Sequence, residues 1–256
     1  IGLLTAIILF SATISSCAVE PLSSGGNPIV SVEKIIDQKN FDPTNLSDAR
    51  IMAAAALDVY FEHASVGQDI VGDSSTDTTA GMDSGGSNPC ALALLRSENS
   101  RYQAKRASWS GTNQPSWYAS NDGIGDNHRG NPGASVKISG FRASMQAVAS
   151  SVDVAMFKLC WIDTPDDGQT LFLEAKTAME TLEADYPEVT CVWWTMPIAC
   201  ESGESERQEY NDAVRAYCEA NDRWLLDIAS LESHDADGTI RRDPSGNELM
   251  QAAYAM

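Results

Sequence analysis

A serine in a short, flexible turn is the residue of this sequence best suited to chemistry. The stretch His63-Ala64-Ser65-Val66-Gly67 follows directly on the apolar run Val59-Tyr60-Phe61. A serine hydroxyl becomes a nucleophile when a base takes its proton and nearby donors stabilise the resulting oxyanion. A tight strand-to-helix turn of the G-x-S-x-G type exposes such a hydroxyl, and here His63 replaces the first glycine. Serine is also a favoured helix N-cap, so the local pattern fits both roles.

Two predicted elements place this serine turn at the edge of a sheet. Ser47-Asp48 is a capping pair for a helix that runs through Ala56, and residues 57–61 have the composition of a buried strand. A second helix is expected to begin near Gly67. Residues 72–135 are rich in Gly, Ser, Asn and Asp with few apolar runs, so we predict a long irregular excursion there.

Regular alternation of strands and helices begins near residue 136. Apolar residues recur at helical spacing in the segments 137–150, 170–185 and 204–220. Apolar runs of strand length occupy 152–161, 190–196 and 223–228. Strands that alternate with helices of this length predict an α/β fold, with a parallel sheet and helices on both sides.

Several candidate functional residues follow directly on the predicted strands. In a parallel sheet the ligand site lies at the carboxyl ends of the strands. The residues at or just beyond those ends are Ser65, Asp163, Pro197 and Asp227. We therefore expect the site at this edge, with the hydroxyl of Ser65 facing an open cleft that Asp163 borders.

Longer motifs resemble those of the SGNH hydrolases, also called the GDSL family. DYPEVTCVWWTMP is similar to a strand of that family that ends in a proline-containing loop, and EYNDAVRAYCEANDRWLLDIASLE resembles its Y-N-x-x-hydrophobic-R helix and the following strand. FEHASVG with FKLCWID resembles a bacterial branch that carries H-x-S-V-G in place of G-D-S. The resemblance covers roughly residues 46–235. It implies a three-layer α/β/α flavodoxin-like sandwich with a mainly parallel sheet, and Ser65 as the nucleophile.

The resemblance also implies oxyanion donors, and here the chain departs from the family. Gly130 matches a glycine of the second block, with Asn131 next to it, although a glycine-rich turn before a helix explains Gly130 equally well. Where the family has G-x-N-D, this chain has Cys160-Trp161-Ile162-Asp163, so Ile162 replaces the amide donor. Either Asn131 or Asn127 supplies the missing donor, or the branch uses another arrangement.

The catalytic base is the largest gap in the resemblance. The family carries a D-x-x-H motif after its last strand, whereas His234 in LESHDADG lacks an aspartate three residues earlier and is interpreted as a solvated loop histidine. His63 and His128 are the remaining candidates to assist Ser65, and neither is predicted to be the principal base. The chain stops at LMQAAYAM, where the motif is expected, so we expect a C-terminal truncation.

The first residues indicate the compartment. Residues 2–14 form an apolar run of secretory-signal length, and Ile14-Ser15-Ser16-Cys17 resembles a bacterial lipobox, which implies lipid on Cys17; a plain signal peptide with a chance cysteine is the alternative. We divide the chain into a partial signal at 1–17, a flexible tether at 18–46 and a hydrolase-like domain at 47–256. The expected location is the cell envelope or the extracellular space.

The net charge narrows the possible binding partners, and the cysteine spacing bears on metals and disulfides. A formal net charge of −19 argues against nucleic-acid binding and against attraction to anionic membranes, so membrane contact is expected only through Cys17. No C-x-x-C pair or cysteine–histidine spacing typical of zinc is present, and neither a metal nor an organic cofactor is predicted. The other cysteines are expected to be buried, with one or two disulfides of open pairing. They are Cys90, Cys160, Cys191, Cys200 and Cys218.

The combined interpretation is a secreted, lipid-anchored serine hydrolase that cleaves ester bonds through an acyl-enzyme on Ser65. Small acyl esters and acetylated or acylated glycans are the substrates that the resemblance implies. Trp109, Trp117 and Tyr118 are candidates for stacking on sugar rings, and equally for packing. Two alternatives stay open: a non-catalytic cell-surface domain that binds glycans or other ligands on the same fold, and an α/β-hydrolase-type esterase. The oligomeric state is open as well.

Overall fold

The structure, a computed structural model, describes residues 33–40, 47–72, 90–109, 113–163, 166–200 and 204–252. Cys17 and the predicted signal lie outside the described residues. Within the described part, one seven-stranded sheet separates two hydrophobic cores, one on each face. None of the helices in these ranges combines the length and the apolar composition that a membrane span requires.

Every strand of the sheet runs parallel to its neighbours. The strands are β1 (Ile35–Ile36), β2 (Val59–His63), β3 (Lys105–Trp109), β4 (Gly123–His128), β5 (Val154–Phe157), β6 (Thr190–Trp194) and β7 (Trp224–Leu226). Their order in the sheet is β1-β7-β6-β5-β2-β4-β3. The central strands β4-β2-β5-β6-β7, numbered along the chain, follow the flavodoxin-like order 2-1-3-4-5. This topology confirms the predicted three-layer α/β/α class.

The helices cover both faces of the sheet. They are α1 (Asp48–Ala55), α2 (Val66–Val71), α3 (Ala91–Glu98), α4 (Ala134–Val148), α5 (Gly168–Asp185), α6 (Ser205–Ala220) and α7 (Ile228–Ser233). Helices α4, α5 and α6 pack around strand residues such as Tyr60, whereas α1, α2, α3 and α7 pack on the face that carries Phe61. Successive residues of β2 thus point to opposite cores, as the strand period of two requires.

The predicted irregular excursion at 72–135 is wrong for its described part, which contains α3, β3 and β4. Strand β4, with the sequence Gly-Ile-Gly-Asp-Asn-His, lacks the apolar run of a buried strand. Its Gly125 is required because a Cβ there would collide with the Trp109 and Tyr118 side chains. Those two aromatic residues are buried, and the Tyr118 hydroxyl donates to the Val59 carbonyl. Trp109 and Tyr118 therefore pack inside the fold and do not offer their faces to a sugar.

The predicted tether at 18–46 also needs correction, because part of it belongs to the sheet. Ile35 and Ile36 pair with Leu225 and Leu226 of β7, and Ile36 is buried. The Leu225 amide donates to the carbonyl of Lys34, just before this strand, and the Asp227 amide donates to the carbonyl of Ile36, over 2.9 Å each. A strand of two residues is too short to produce a recognisable pattern in the sequence.

The described cysteines form no disulfides, so the expectation of one or two among them is wrong. Cys90, Cys160, Cys191 and Cys218 are buried single thiols, and Cys200 is partly exposed. Burial raises the pKa of the Cys191 thiol to about 12, so it stays protonated at neutral pH. These thiols act as small apolar side chains of the core.

Candidate active site at the carboxyl edge

Ser65 occupies a strained turn between β2 and α2. Its backbone torsions are φ 46° and ψ −111°, a combination that residues other than glycine rarely adopt. A capping serine normally has extended torsions and accepts a hydrogen bond from the first helical turn. The Ser65 side chain makes no such bond and is only partly buried. The position therefore matches a nucleophile turn better than a helix cap.

The turn lies at the point where the order of the sheet reverses. From β2 the chain passes to β3 at the edge of the sheet, returns to β4 beside β2, and then crosses to β5 on the other side of β2. Ligands of open α/β sheets bind in the crevice at this switch point. The backbone bonds Arg129 N to His63 O, 2.9 Å, and Lys158 N to Glu62 O, 3.0 Å, bring both neighbouring strand ends beside the serine turn.

The side chain of His63 packs against the turn that carries Ser65. A Cβ on Gly67 would collide with the His63 side chain, so only glycine fits two residues after the serine. The imidazole is buried, and its Nε2 lies 3.1 Å from Oδ1 of Asp126. Burial lowers the pKa of His63 and keeps the ring neutral. His63 therefore belongs to the interior beneath the turn.

Asp126 forms the centre of a buried polar cluster. Its carboxylate accepts hydrogen bonds from Arg106 Nε at 2.6 Å and from Ser108 Oγ at 2.8 Å. Burial opposes ionisation of Asp126, but the hydrogen bonds from His63 and Arg106 outweigh it and lower its pKa. An ionised Asp126 accepts only, so Nε2 of His63 carries the proton between them. The Nδ1 atom of His63 has no hydrogen-bond partner among the described residues.

Gly130 follows the end of β4 and has a backbone that suits close approach by a ligand. Its φ of 65° favours glycine, and a Cβ added there would meet open space. The backbone N–H groups of Ser65 and Gly130 donate to none of the described residues. Two unoccupied donors on adjacent strand ends are what an oxyanion requires.

An ion pair between a partly buried arginine and a buried carboxylate joins the two loops that carry these donors. Glu62 of β2 is buried and accepts hydrogen bonds from Arg129, Nε to Oε1 at 2.8 Å and Nη2 to Oε2 at 3.2 Å. Tyr60 donates its hydroxyl to the same carboxylate at 2.8 Å. Because Glu62 precedes Ser65 by three residues and Arg129 directly precedes Gly130, this pair fixes one loop against the other.

Asn131 and Asp163 are brought together by a residue that the sequence analysis missed. Lys137 of α4 is buried, forms an ion pair with Asp163 and donates to Oδ1 of Asn131 at 2.8 Å. Asp163 also accepts the amide of Cys160 at 2.7 Å. A lysine 26 residues away in the chain from Asp163 leaves no local signal, so sequence spacing could not reveal this link.

The other candidate donor, Asn127, faces the interior. It is buried within β4, and its Nδ2 donates to Asn113 at 2.9 Å. Asn131 by contrast is exposed in the loop after β4. Of the two asparagines considered for the missing donor, only Asn131 has an amide that a ligand can reach.

The other two histidines at the carboxyl edge of the sheet, His128 and His234, differ in their position relative to Ser65. His128 ends β4 in register with His63, and is half-buried. Burial lowers the pKa of His128 and leaves its ring neutral at pH 7. His234 lies beyond β7, with Nδ1 2.8 Å from the Ser230 carbonyl. His128 is therefore on β4, the strand that pairs with β2, whereas His234 follows β7, three strands away from β2.

A buried lysine and a partly buried glutamate also lie at this edge. Lys158 follows β5, is fully buried and donates to the Leu159 carbonyl at 3.0 Å. Burial lowers its pKa to about 8. Burial likewise raises the pKa of the Glu232 carboxyl to about 7, and that carboxyl accepts the Ile198 amide at 2.9 Å. No cluster of three or more potential metal-binding side chains occurs among the described residues.

Comparisons with known proteins found similar solved structures. No protein-family model matches the chain, and no curated protein matches it. The chain is similar to a protein described as lipolytic and of the G-D-S-L family from Desulfitobacterium hafniense DCB-2, at 12% identity over 54% of this chain and 77% of that one, with a TM-score of 0.34. It is similar to a GDSL-like lipase from Parabacteroides merdae ATCC 43184, at 13% identity over 73% and 89%, with a TM-score of 0.40. It is also similar to phospholipase A1 from Streptomyces albidoflavus NA297, at 12% identity over 77% and 92%, with a TM-score of 0.35.

Proposed function

We propose that this protein is a serine hydrolase that cleaves ester bonds through an acyl-enzyme on Ser65. The observation that carries the proposal is the strained backbone of Ser65, φ 46°, combined with a hydroxyl that caps nothing. Such strain costs stability and persists where the surrounding structure imposes it, typically at functional sites. The position at the switch point of the sheet supports the same conclusion.

The chemistry follows from the groups around the turn. Oγ of Ser65 attacks the ester carbonyl carbon, and the carbonyl electron pair moves to the oxygen. The N–H groups of Ser65 and Gly130 stabilise that oxyanion. Collapse of the intermediate breaks the bond to the alcohol, which leaves with a proton. Water then attacks the acyl-enzyme in the same way and restores the serine.

The proton acceptor in this proposal is His128. A general base must be neutral at the working pH and able to approach the nucleophile. His128 meets the first condition, since burial lowers its pKa and leaves the ring neutral. In support of the second, its partly buried ring lies 5.6 Å, centroid to centroid, from the ring of His63, two residues before Ser65. The proposal thus assigns His128 a larger role than the sequence predicts. His63 is buried and already bonded to Asp126, so its role is to support the turn.

Exposed apolar side chains at the carboxyl edge of the sheet favour an acyl group over a charged substrate. Trp161 and Ile162 follow β5 and are 43% and 46% exposed. Val136, in the first turn of α4, is 56% exposed. Large apolar side chains that stay exposed at a candidate site often contact a ligand. We propose small acyl or acetyl esters as the substrate class, including those carried by glycans.

The test is ester hydrolysis by the full chain. With p-nitrophenyl acetate and butyrate, Ser65→Ala should lower kcat/KM by about 10³-fold or more, because a triad-type nucleophile is lost. A fluorophosphonate probe should modify Ser65, as located by mass spectrometry. The matched control is Ser120→Ala, an exposed serine that ends a 3-10 helix away from the turn.

Three outcomes are decisive. Hydrolysis that survives Ser65→Ala would remove Ser65 as the nucleophile. Absence of both hydrolysis and probe labelling in the unaltered chain would favour the non-catalytic binding domain. A His128→Gln variant with an unchanged pH–rate profile would exclude His128 as the base.

A further inference from the structure

The side-chain amide of Asn131 has a defined orientation. Its Oδ1 accepts the hydrogen bond from the Lys137 ammonium. An ammonium group donates hydrogen bonds and accepts none, so the amide oxygen must be the atom that faces it. The NH₂ group of Asn131 consequently points away from Lys137 on an exposed side chain, and it donates to none of the described residues.

Lys137 is an unusual residue for its position. It lies near the start of α4, where a cation is disfavoured by the helix dipole, and it is buried. Burial of an ion pair adds little net stability, because desolvation cancels most of the attraction to Asp163. Stability alone therefore does not account for a lysine here.

We propose that Lys137 is a positioning residue that holds the Asn131 amide as a third oxyanion donor, in place of the amide absent at Ile162. The inference rests on the proposed function, since it assigns a role within the Ser65 site. Asp163 fixes Lys137 and is itself held by the Cys160 amide. The contacts thus connect the turn after β5, helix α4 and the loop after β4, and they end at the residue next to Gly130.

The sharpest variant is Asn131→Asp in the full chain. Aspartate keeps the oxygen that Lys137 binds but removes the NH₂ donor. With p-nitrophenyl acetate we expect kcat to fall about 10²-fold or more while KM stays nearly constant, since loss of one oxyanion donor acts on the transition state. The rate of Ser65 modification by the fluorophosphonate probe should fall in parallel.

The chain offers a matched control at the opposite edge of the sheet. Asn121 also accepts a lysine hydrogen bond at its Oδ1, from Lys105 at 2.9 Å. It precedes β4, and Lys105 begins β3, so this pair lies at the amino ends of the strands. Asn121→Asp makes the same chemical change and should leave kcat and the labelling rate unchanged.

The role of Lys137 is tested by a double-mutant cycle. Lys137→Met should lower kcat at least 10-fold in the unaltered chain and less than about 3-fold in the Asn131→Ala background, because its effect passes through Asn131. Lys137→Met leaves Asp163 buried without its cation, so the cycle is repeated with Asp163→Asn present in every variant. That substitution removes the charge and keeps an oxygen for the Cys160 amide.

The outcomes separate this inference from the function on which it rests. Equal losses of kcat for Lys137→Met in both backgrounds would assign the lysine a purely structural role and overturn the inference. So would an Asn131→Asp variant that behaves like Asn121→Asp while Ser65 still hydrolyses esters. Absence of any reaction at Ser65 in the unaltered chain would overturn the proposed function and this inference together.

Discussion

At the scale of single residues, Ser65 shows how function and stability oppose each other. Its φ of 46° places a β-carbon in a region that favours glycine, and its hydroxyl gains no capping bond in return. Strain of this kind costs about 1–3 kcal/mol per residue. A chain selected for stability alone would carry glycine there.

This opposition can be measured with two substitutions. We expect Ser65→Gly to raise the free energy of unfolding by about 1 kcal/mol, because it removes the strained β-carbon. Ser65→Ala keeps that carbon and loses no cap, so it should change the free energy of unfolding by less than about 0.5 kcal/mol. Urea unfolding at neutral pH gives both values.

A helix cap would give the reverse pattern. Loss of a true N-cap serine costs about 1 kcal/mol when alanine replaces it and only a few tenths for glycine. A clearly destabilised Ser65→Ala variant beside a neutral Ser65→Gly would therefore restore the cap interpretation.

At the scale of elements, the motifs that suggested a family have a structural explanation. Asn211 of α6 is buried and binds the Met196 backbone twice, Oδ1 to N at 2.7 Å and Nδ2 to O at 3.1 Å. Four residues later, Arg215 binds both carboxylate oxygens of Asp227 at 2.6 and 2.9 Å. One helix thereby fixes the carboxyl ends of β6 and β7. These residues of the Y-N-x-x-hydrophobic-R pattern act as anchors of the sheet edge.

The contribution of Asn211 to stability can be measured as a change in the free energy of unfolding. Asn211→Ala should lower the free energy of unfolding by about 2 kcal/mol or more, since both polar groups of the buried Met196 backbone lose their partner. Asn221→Ala is the matched control, because Asn221 follows the same helix but is exposed. It should cost less than about 1 kcal/mol. Equal losses for the two variants in urea unfolding would contradict the anchoring role.

The elements also show where prediction from sequence succeeds and where it fails. Helices such as α5 and α6 are predicted to within a few residues because their apolar residues recur at helical spacing, even though the buried face of α6 also carries Arg207 and Asn211. Strand β4 was missed because its buried positions are filled by Asp126, Asn127 and glycine, which are paired or closely packed only in the folded chain. Likewise the sequence identified Asn131 as a candidate, but its orientation depends on Lys137, which only tertiary structure brings into contact.

At the scale of the whole molecule, we propose from the N-terminal sequence that the protein is exported and tethered to a membrane. The net charge of −19 repels anionic lipid surfaces, so electrostatic attraction does not hold the protein at a membrane, whereas a covalent lipid can. Cys17 in its lipobox-like context is the residue we propose for that attachment. It lies outside the described residues, so the sequence alone supports this proposal.

The attachment can be tested in a bacterial host with the natural precursor. Cys17→Ser should shift the protein from the membrane fraction to the soluble fraction, because the lipid acceptor is lost. The control is Cys200→Ser, which removes a partly exposed thiol of the folded domain and should leave the partitioning unchanged. If Cys17→Ser leaves the membrane fraction of the protein unchanged, the N-terminus is an ordinary signal peptide or an uncleaved anchor.

The pairing of β1 with β7 has a consequence for the order in which the chain folds. Lys34, just before β1, bonds to Asp222, 188 residues further along the chain and just before β7. Contacts of such long range carry a large entropic cost of loop closure and form slowly. A ribosome that makes the chain from its N-terminus must synthesise nearly the whole domain before β1 finds its partner. The first described strand of the chain is thus the last to join the sheet.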